Sequence, residues 1–182
     1  DEQDAFVEAV AAANPHTVVV VHAGAPVLMP WLDRVSAVVL GWYPGQEDGT
    51  VTARVLFGDA EPGGRLPITF PADESDLPTA ATEQYPGVNG TADYSEGLEV
   101  GYRHYLAHGI APLFPFGFGL SYTTFAVDDL QTPVDVRAGE PVTVTARVTN
   151  TGTRTGARSC RCTSPRRCPP ASRHRRCRGS PR

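Results

Sequence analysis

Residues 17–41 read TVVVVHAGAPVLMPWLDRVSAVVLG, in which two short apolar runs flank a stretch containing Gly and Pro. The runs, at residues 17–22 and 36–41, are apolar on both faces, as the central strands of a parallel sheet must be. Between them, residues 27–34 have room for one or two helical turns. This stretch therefore predicts two buried parallel strands joined by a short connection.

Helical patterns lie on both sides of these strands. Residues 2–13 read EQDAFVEAVAAA and place apolar side chains at helical spacing, and residues 46–57 are predicted to form a second helix. The alternation of helix and strand indicates an α/β fold with a parallel sheet. Two strands are few for such a sheet, so we expect further strands of it to lie outside this chain.

The remainder of the chain has a different pattern. Residues 72–100 are polar and irregular, which predicts a surface loop. Residues 101–125 concentrate aromatic side chains among Gly and Pro, which predicts packed irregular chain rather than a helix. Residues 125–130 and 141–150 alternate apolar and polar side chains, which predicts two strands of a β-sandwich. A third strand, expected near Ala157, does not follow.

Charge divides the chain sharply. Residues 1–157 hold all 20 Asp and Glu residues but only 7 Arg, whereas residues 158–182 hold 9 Arg and no acidic residue. The acidic body argues against a nucleic-acid-binding domain, which presents a basic face on folded structure. No run of 18 apolar residues is present, so the sequence predicts no membrane partner.

The basic tail, residues 158–182, contains no Val, Ile, Leu, Met or aromatic residue, so it is predicted to be disordered. Its Arg, Pro, Ser and Cys content is typical of a G+C-rich gene translated out of frame. Two alternatives are a basic arm that binds nucleic acid or anionic lipid, and a zinc site. The spacing of the available zinc ligands matches no known zinc motif, so no metal or other cofactor is predicted (Cys160, Cys162, Cys168, His174 and Cys177).

Four ordered segments carry a resemblance to a known family. Residues 58–71, GDAEPGGRLPITFP, resemble the G-D-x-x-P-x-G-R-L-P-x-T-F-P segment of family 3 glycoside hydrolases, which include β-glucosidases and β-xylosidases. Residues 112–125, PLFPFGFGLSYTTF, resemble the segment that joins the family's α/β sandwich to a fibronectin type III-like domain. YPGQE at residues 43–47 lies before these two segments and GYR at residues 101–103 lies between them, in the order that the resemblance implies. The resemblance covers residues 2–157.

The resemblance implies a domain organisation. The family places a (β/α)8 barrel first, then the α/β sandwich, then the fibronectin type III-like domain. Residues 1–100 would be the C-terminal part of the α/β sandwich, and residues 101–125 an aromatic, Gly/Pro-rich connector. Residues 126–157 would begin an incomplete fibronectin type III-like β-sandwich, followed by the disordered tail at residues 158–182.

The resemblance also implies a reaction, the hydrolysis of β-linked glucosides or related sugars. Retaining glycosidases use two carboxyl groups about 5–5.5 Å apart, one as nucleophile and one as acid/base. The family's nucleophilic Asp lies in the barrel and its acid/base Glu on a loop expected just before residue 1. This chain alone is therefore predicted to lack both catalytic carboxylates, to be inactive, and to meet its carbohydrate substrate through the barrel domain. The alternative is a non-catalytic carbohydrate-binding or accessory module.

Four residues are predicted to lie next to the substrate: Trp42, Tyr43, Gln46 and Glu47. They follow a strand and begin a helix, which is where open α/β sheets bind ligands, and aromatic rings can stack on sugars. Alternatively, Glu47 and the adjacent Asp48 complement the helix dipole, and the two aromatic rings are buried between domains. A nucleotide site is not expected, because GWYPG at residues 41–45 fits neither of the Gly-rich phosphate-binding motifs.

Two further side chains are predicted to be structural. His22 ends the first strand and is expected to be a hydrogen-bonded core histidine. Arg65, in the family segment, is expected to pair with a nearby acid, either Asp59 or Glu61.

Overall fold

The computed structural model describes residues 1–137 and 139–160 of the chain. Four strands and three α-helices follow one another along it, together with short 3-10 turns at Leu32–Arg34, Gly45–Glu47 and Glu74–Asp76. The elements are α1 (Glu2–Ala13), β1 (Val18–Val21), β2 (Ala37–Leu40), α2 (Asp48–Leu56), α3 (Tyr102–His108), β3 (Phe125–Gln131) and β4 (Thr145–Asn150). None of the helices in the described part combines the length and the apolar character needed to cross a membrane.

Strands β1 and β2 pair in parallel, with Val18 opposite Ala37 and Val21 opposite Leu40. The predicted α/β fold with a parallel sheet is therefore confirmed. The two strands pack against a buried cluster formed by Met29, Trp31 and Phe70, which is the main apolar core of the described residues (with Val19, Val21, Val38 and Leu40 among the side chains that contact it).

The connection between the two strands contains less helix than the sequence permits. A single 3-10 turn, Leu32–Arg34, forms between residues 22 and 36. Pro26 and Pro30 have no backbone N–H to donate, so a longer helix is disfavoured here. The Trp31 ring is buried instead, and its Nε1 donates a hydrogen bond of 2.9 Å to Oδ1 of Asp4 in α1.

The two family-like segments pair with each other. The backbone N–H of Phe70 donates to the carbonyl of Phe114 at 2.9 Å, and that of Phe114 donates to the carbonyl of Phe70 at 3.3 Å. Further along, the N–H of Leu66 donates to the Phe118 carbonyl, and the N–H of Gly117 donates to the Leu66 carbonyl, both at 2.8 Å. Residues distant in sequence are thus held side by side by backbone bonds rather than by a continuous sheet.

The prediction of irregular chain over residues 101–125 is wrong in its first third. Tyr102–His108 form helix α3, which begins after Gly101 and ends at Gly109 in the left-handed conformation, with φ of 65°. The seven helical residues, YRHYLAH, contain neither Gly nor Pro. The breakers therefore mark the ends of the helix, and C-terminal Gly is a common helix stop.

Strands β3 and β4 form a separate antiparallel pair, with Phe125 opposite Asn150 and Val127 opposite Val148. An irregularity interrupts the pairing between Asp128 and Gln131. Within residues 1–137 and 139–160 no third strand joins this pair. The division into a sandwich part, a connector and a fibronectin type III-like part remains a prediction, and most of the tail predicted to be disordered, residues 161–182, lies outside the described residues.

Candidate functional site

The predicted substrate-adjacent residues lie in the loop that follows β2. Parallel strands end at the same edge of a sheet, so this loop lies beside the chain that follows β1. The backbone N–H of Gly41 donates to the carbonyl of Val21 at 2.9 Å, which holds the two strand ends together. A Cβ on Gly41 would lie 2.5 Å from Cδ2 of the His22 ring, so a side chain at this position would displace that ring.

Trp42 attaches this loop to the apolar core. Its ring packs edge-on against Phe70, with ring centroids 6.3 Å apart, and it is only partly exposed. Its φ of 52° is uncommon for a residue with a side chain, and such a conformation persists where surrounding packing holds it. Because its ring packs against the core, Trp42 is a support for the loop rather than an open platform.

Tyr43 has the opposite environment. It is 84% exposed, the highest exposure among the aromatic residues of this loop. Its phenol lies directly over Gly24 in the chain after β1, where any Cβ would collide with the ring and the hydroxyl. An exposed aromatic ring beside a glycine provides a flat apolar surface of the kind that stacks on a sugar ring.

Gln46 and Glu47 are both exposed, in the 3-10 turn that leads into α2. Glu47 occupies the N-cap position of α2 and makes no side-chain capping hydrogen bond. The structure thus brings all four predicted residues into one loop, with Tyr43, Gln46 and Glu47 exposed and Trp42 packed inward. Their role beside the substrate stays a prediction.

The prediction for one residue beside this loop, His22, is wrong. His22 was expected in the core, but its ring is exposed and its Nε2 lies 3.2 Å from Oδ1 of Asp48, the first residue of α2. The same oxygen accepts a hydrogen bond of 3.0 Å from the Thr52 hydroxyl. The signal available in the sequence was the placement of a histidine after one strand and a carboxylate after the next, since both strand ends share an edge.

Among residues 1–137 and 139–160, Arg65 forms no ion pair with an acid, contrary to the prediction. Its guanidinium donates to the carbonyl of Gly64 at 2.7 Å, to that of Leu120 at 3.4 Å and to the hydroxyl of Ser121 at 3.2 Å. These contacts join the two family-like segments. Arg65 is therefore structural, but through carbonyl and hydroxyl groups.

The carboxyl groups with altered acidity lie in turns and helix ends. Hydrogen bonds to Ser75, from its hydroxyl and then its backbone N–H, lower the pKa of Asp73 below its ordinary value. The pKa of Asp4 is lowered by hydrogen bonds from the N-terminal ammonium and then from the Trp31 ring. A lowered pKa does not suit a general acid, which must hold its proton near neutral pH.

In residues 1–137 and 139–160 no group of three or more His, Cys, Asp or Glu side chains could hold a metal ion.

Comparisons with known proteins agree with this architecture. Residues 1–122 match the family described as Glycosyl hydrolase family 3 C-terminal domain. The chain is 50% identical over 158 residues to a β-glucosidase of Rhizobium radiobacter, and this match covers 85% of the chain and 19% of that relative. It is 44% identical over 160 residues to a probable β-glucosidase I of Aspergillus terreus, with 85% and 19% covered.

Solved structures of β-glucosidases are also similar to this chain. A structure of DesR, a β-glucosidase from Streptomyces venezuelae, in complex with D-glucose, is similar with a TM-score of 0.78 and 43% identity, over 84% of this chain and 19% of that one. β-Glucosidase 3B from Thermotoga neapolitana is similar with a TM-score of 0.76 and 37% identity, over 86% of this chain and 22% of that one. The chain thus spans about a fifth of the length of the relatives that it matches. By its family match over residues 1–122, the chain belongs to the C-terminal domain family of family 3 glycosyl hydrolases.

Proposed function

We propose that this chain is part of a β-glucosidase that hydrolyses β-linked glucosides or related sugars. The names of the relatives support this reaction, since those matched across 85% of the chain are β-glucosidases. The chain corresponds to 19% of their length, so the rest of the catalytic apparatus would come from segments outside it. On this proposal the two catalytic carboxylates lie outside the chain, and the chain alone is inactive.

Within that enzyme we assign a sugar-facing role to the loop after β2. The observation that carries this assignment is the Tyr43 ring, which is 84% exposed and lies over Gly24 at the carboxyl-terminal edge of the parallel strands. Gln46 and Glu47, exposed in the same loop, offer an amide and a carboxylate that can hydrogen-bond to sugar hydroxyls. Trp42 supports the loop from below through Phe70.

The proposed partner is a carbohydrate substrate that is held mainly by the barrel domain. Nucleic acid and membrane are not proposed as partners, because residues 1–157 hold 20 acidic residues and only 7 Arg.

A chimera tests this proposal. The matched part of the chain, 85% of its length, would replace the corresponding segment of the Rhizobium radiobacter enzyme, to which it is 50% identical. We expect the chimera to hydrolyse an aryl β-glucoside. In the chimera, Tyr43→Ala should raise KM about two- to tenfold, since an aromatic stacking contact contributes about 0.5–1.5 kcal/mol.

The matched control is Tyr94→Ala, which removes another exposed tyrosine from the loop between α2 and α3. This control should leave KM and kcat unchanged. Equal effects of the two substitutions would remove the assignment of Tyr43 to the sugar site. A well-folded chimera without any hydrolytic activity would count against the proposed enzyme as a whole.

The second candidate is a carbohydrate-binding module without catalysis, which the exposure of Tyr43 also favours. Titration of glucose and cellobiose into the isolated chain distinguishes the binding module from the proposed enzyme. Saturable binding that Tyr43→Ala abolishes would favour the module, because the proposed enzyme holds its sugar mainly through residues outside this chain.

A further inference from the structure

The loop after β2, residues 42–47, is contacted at both of its ends by one side chain, that of His22. Before the loop, the His22 ring lies against Gly41, where an added Cβ would be 2.5 Å from Cδ2 and 2.7 Å from Nε2 of the ring. After the loop, Nε2 of the same ring lies 3.2 Å from Oδ1 of Asp48. That oxygen also accepts the hydrogen bond from Thr52, one turn further along α2. A single imidazole thus joins the two ends of the loop.

Tyr43, inside the loop, contacts the same segment of chain. Its phenol lies over Gly24, two residues after His22, where an added Cβ would overlap the ring. Residues 22–24, which follow β1, therefore contact the loop at its two ends and at Tyr43 between them. The placement of this segment determines where the exposed Tyr43 ring lies.

The backbone of the loop requires such contacts. Trp42, the first loop residue, has φ of 52°, which is unfavourable for a residue with a side chain and persists only where neighbouring groups hold it. Packing of the Trp42 ring against Phe70 restrains the side chain. The His22 ring restrains the backbone on either side, at Gly41 and at Asp48.

The His22 contact is too exposed to matter much for global stability. The side chains of His22 and Asp48 are 39% and 37% exposed, and exposed pairs of this kind contribute little to the free energy of unfolding. Loss of the imidazole should therefore loosen the loop without unfolding the chain.

We propose that His22 is a positioning residue that fixes the shape of the loop after β2 by joining Gly41 to Asp48. This inference rests on the proposed function, because the loop is the one that carries the proposed sugar contacts. His22 acts through the side chains of the loop and not on the glycosidic bond itself.

The chimera with the Rhizobium radiobacter enzyme gives the first test. His22→Ala should raise KM for the aryl β-glucoside about two- to fivefold, the range expected for an exposed pair, and leave kcat unchanged. His22→Gln carries an amide nitrogen that can still reach Asp48, so its KM should stay within about twofold of the unsubstituted chimera. His16→Ala removes another exposed histidine, before β1, and as the matched control should change neither constant.

Gly41→Ala tests the same contact without changing His22 or Asp48. The added methyl group would displace the His22 ring, whereas the next nearest atom among the described residues beyond its chain neighbours, the Val21 carbonyl oxygen, is 3.8 Å away. Gly41→Ala should therefore raise KM as His22→Ala does. Combined with His22→Ala it should have no further effect, because the ring it displaces is already absent.

Hydrogen exchange of the 182-residue chain tests the contact without any activity. The backbone amides of residues 42–48 should exchange about two- to fivefold faster in His22→Ala than in the wild type or in His16→Ala, while those of α1 keep their rate. An inactive chimera would contradict the proposed enzyme, and this exchange measurement would then decide the role of His22 by itself.

Three results would overturn the proposal. The first is unchanged exchange of residues 42–48 in His22→Ala. The second is a chimera in which His22→Ala lowers kcat at unchanged KM, as a loss of folded protein would. The third is an effect of Gly41→Ala on KM that adds fully to that of His22→Ala.

Discussion

The ring of Trp42 packs edge-on against the ring of Phe70, with centroids 6.3 Å apart and planes inclined at 66°. Phe70 in turn packs edge-on against Phe114, with centroids 6.2 Å apart. The loop that carries the proposed sugar contacts is thus fixed to the same aromatic pair that joins the two family-like segments. A substitution that destabilises this aromatic core should therefore also displace the loop after β2.

Phe70 should be the most sensitive position of the core, because it is only 1% exposed. Phe70→Ala should lower the free energy of unfolding by about 3–5 kcal/mol, through lost burial and the cavity left behind. Phe57→Ala, which removes an exposed phenylalanine just after α2, is the matched control and should change stability by less than about 0.5 kcal/mol. Urea unfolding followed by fluorescence of Trp31 and Trp42 measures both, and equal losses would contradict the assigned core.

Gly119 should not tolerate a side chain. A Cβ there would lie 2.5 Å from the carbonyl oxygen of Gly64 and 2.9 Å from Cδ of Arg65, where the two family-like segments meet. Gly119→Ala should therefore destabilise the chain by about 1–3 kcal/mol, as overpacking does. Gly63→Ala, where no atom lies within 4 Å of the added Cβ, should be neutral or slightly stabilising in the same unfolding experiment.

Asp73 should contribute stability that depends on pH. Hydrogen bonds from Ser75 lower its pKa in the folded chain, whereas the unfolded chain has the ordinary value of about 3.9. The contribution is therefore complete above the unfolded pKa and is lost as the pH falls through the folded pKa. NMR titration should give a pKa for Asp73 below the ordinary value in the wild type and a higher one in Ser75→Ala. The same pKa in both proteins would mean that these bonds are absent in solution.

Continuous apolar runs made the parallel strands predictable. Val18–Val21 and Ala37–Leu40 are half-buried apart from the exposed Val18 and Ala37, and their unbroken apolar composition is enough to mark them as strands. Helix α1 was equally predictable, because Asn14 and Pro15 end an uninterrupted amphipathic pattern. In these elements local sequence and tertiary packing favour the same structure.

Other features depend on contacts that are distant in sequence. Helix α3 was not predicted because residues 101–125 taken together are rich in Gly and Pro. The seven residues between Gly101 and Gly109 contain neither Gly nor Pro, so nothing interrupts a helix there. The exposed pair of His22 and Asp48 forms only because two strands end at one edge. Thr69 packs beside Tyr105, although the two residues lie more than 30 positions apart in the sequence, and no local pattern specifies this contact.

Hydrolysis of an aryl β-glucoside by the purified 182-residue chain is the most direct test of the proposal that the catalytic carboxylates lie outside it. Release of the aryl alcohol should not exceed the rate in buffer, because a retaining glycosidase needs two carboxyl groups about 5–5.5 Å apart and no such pair is assigned in this chain. Turnover well above buffer that disappears in Glu47→Gln would contradict the proposal and make the loop after β2 catalytic.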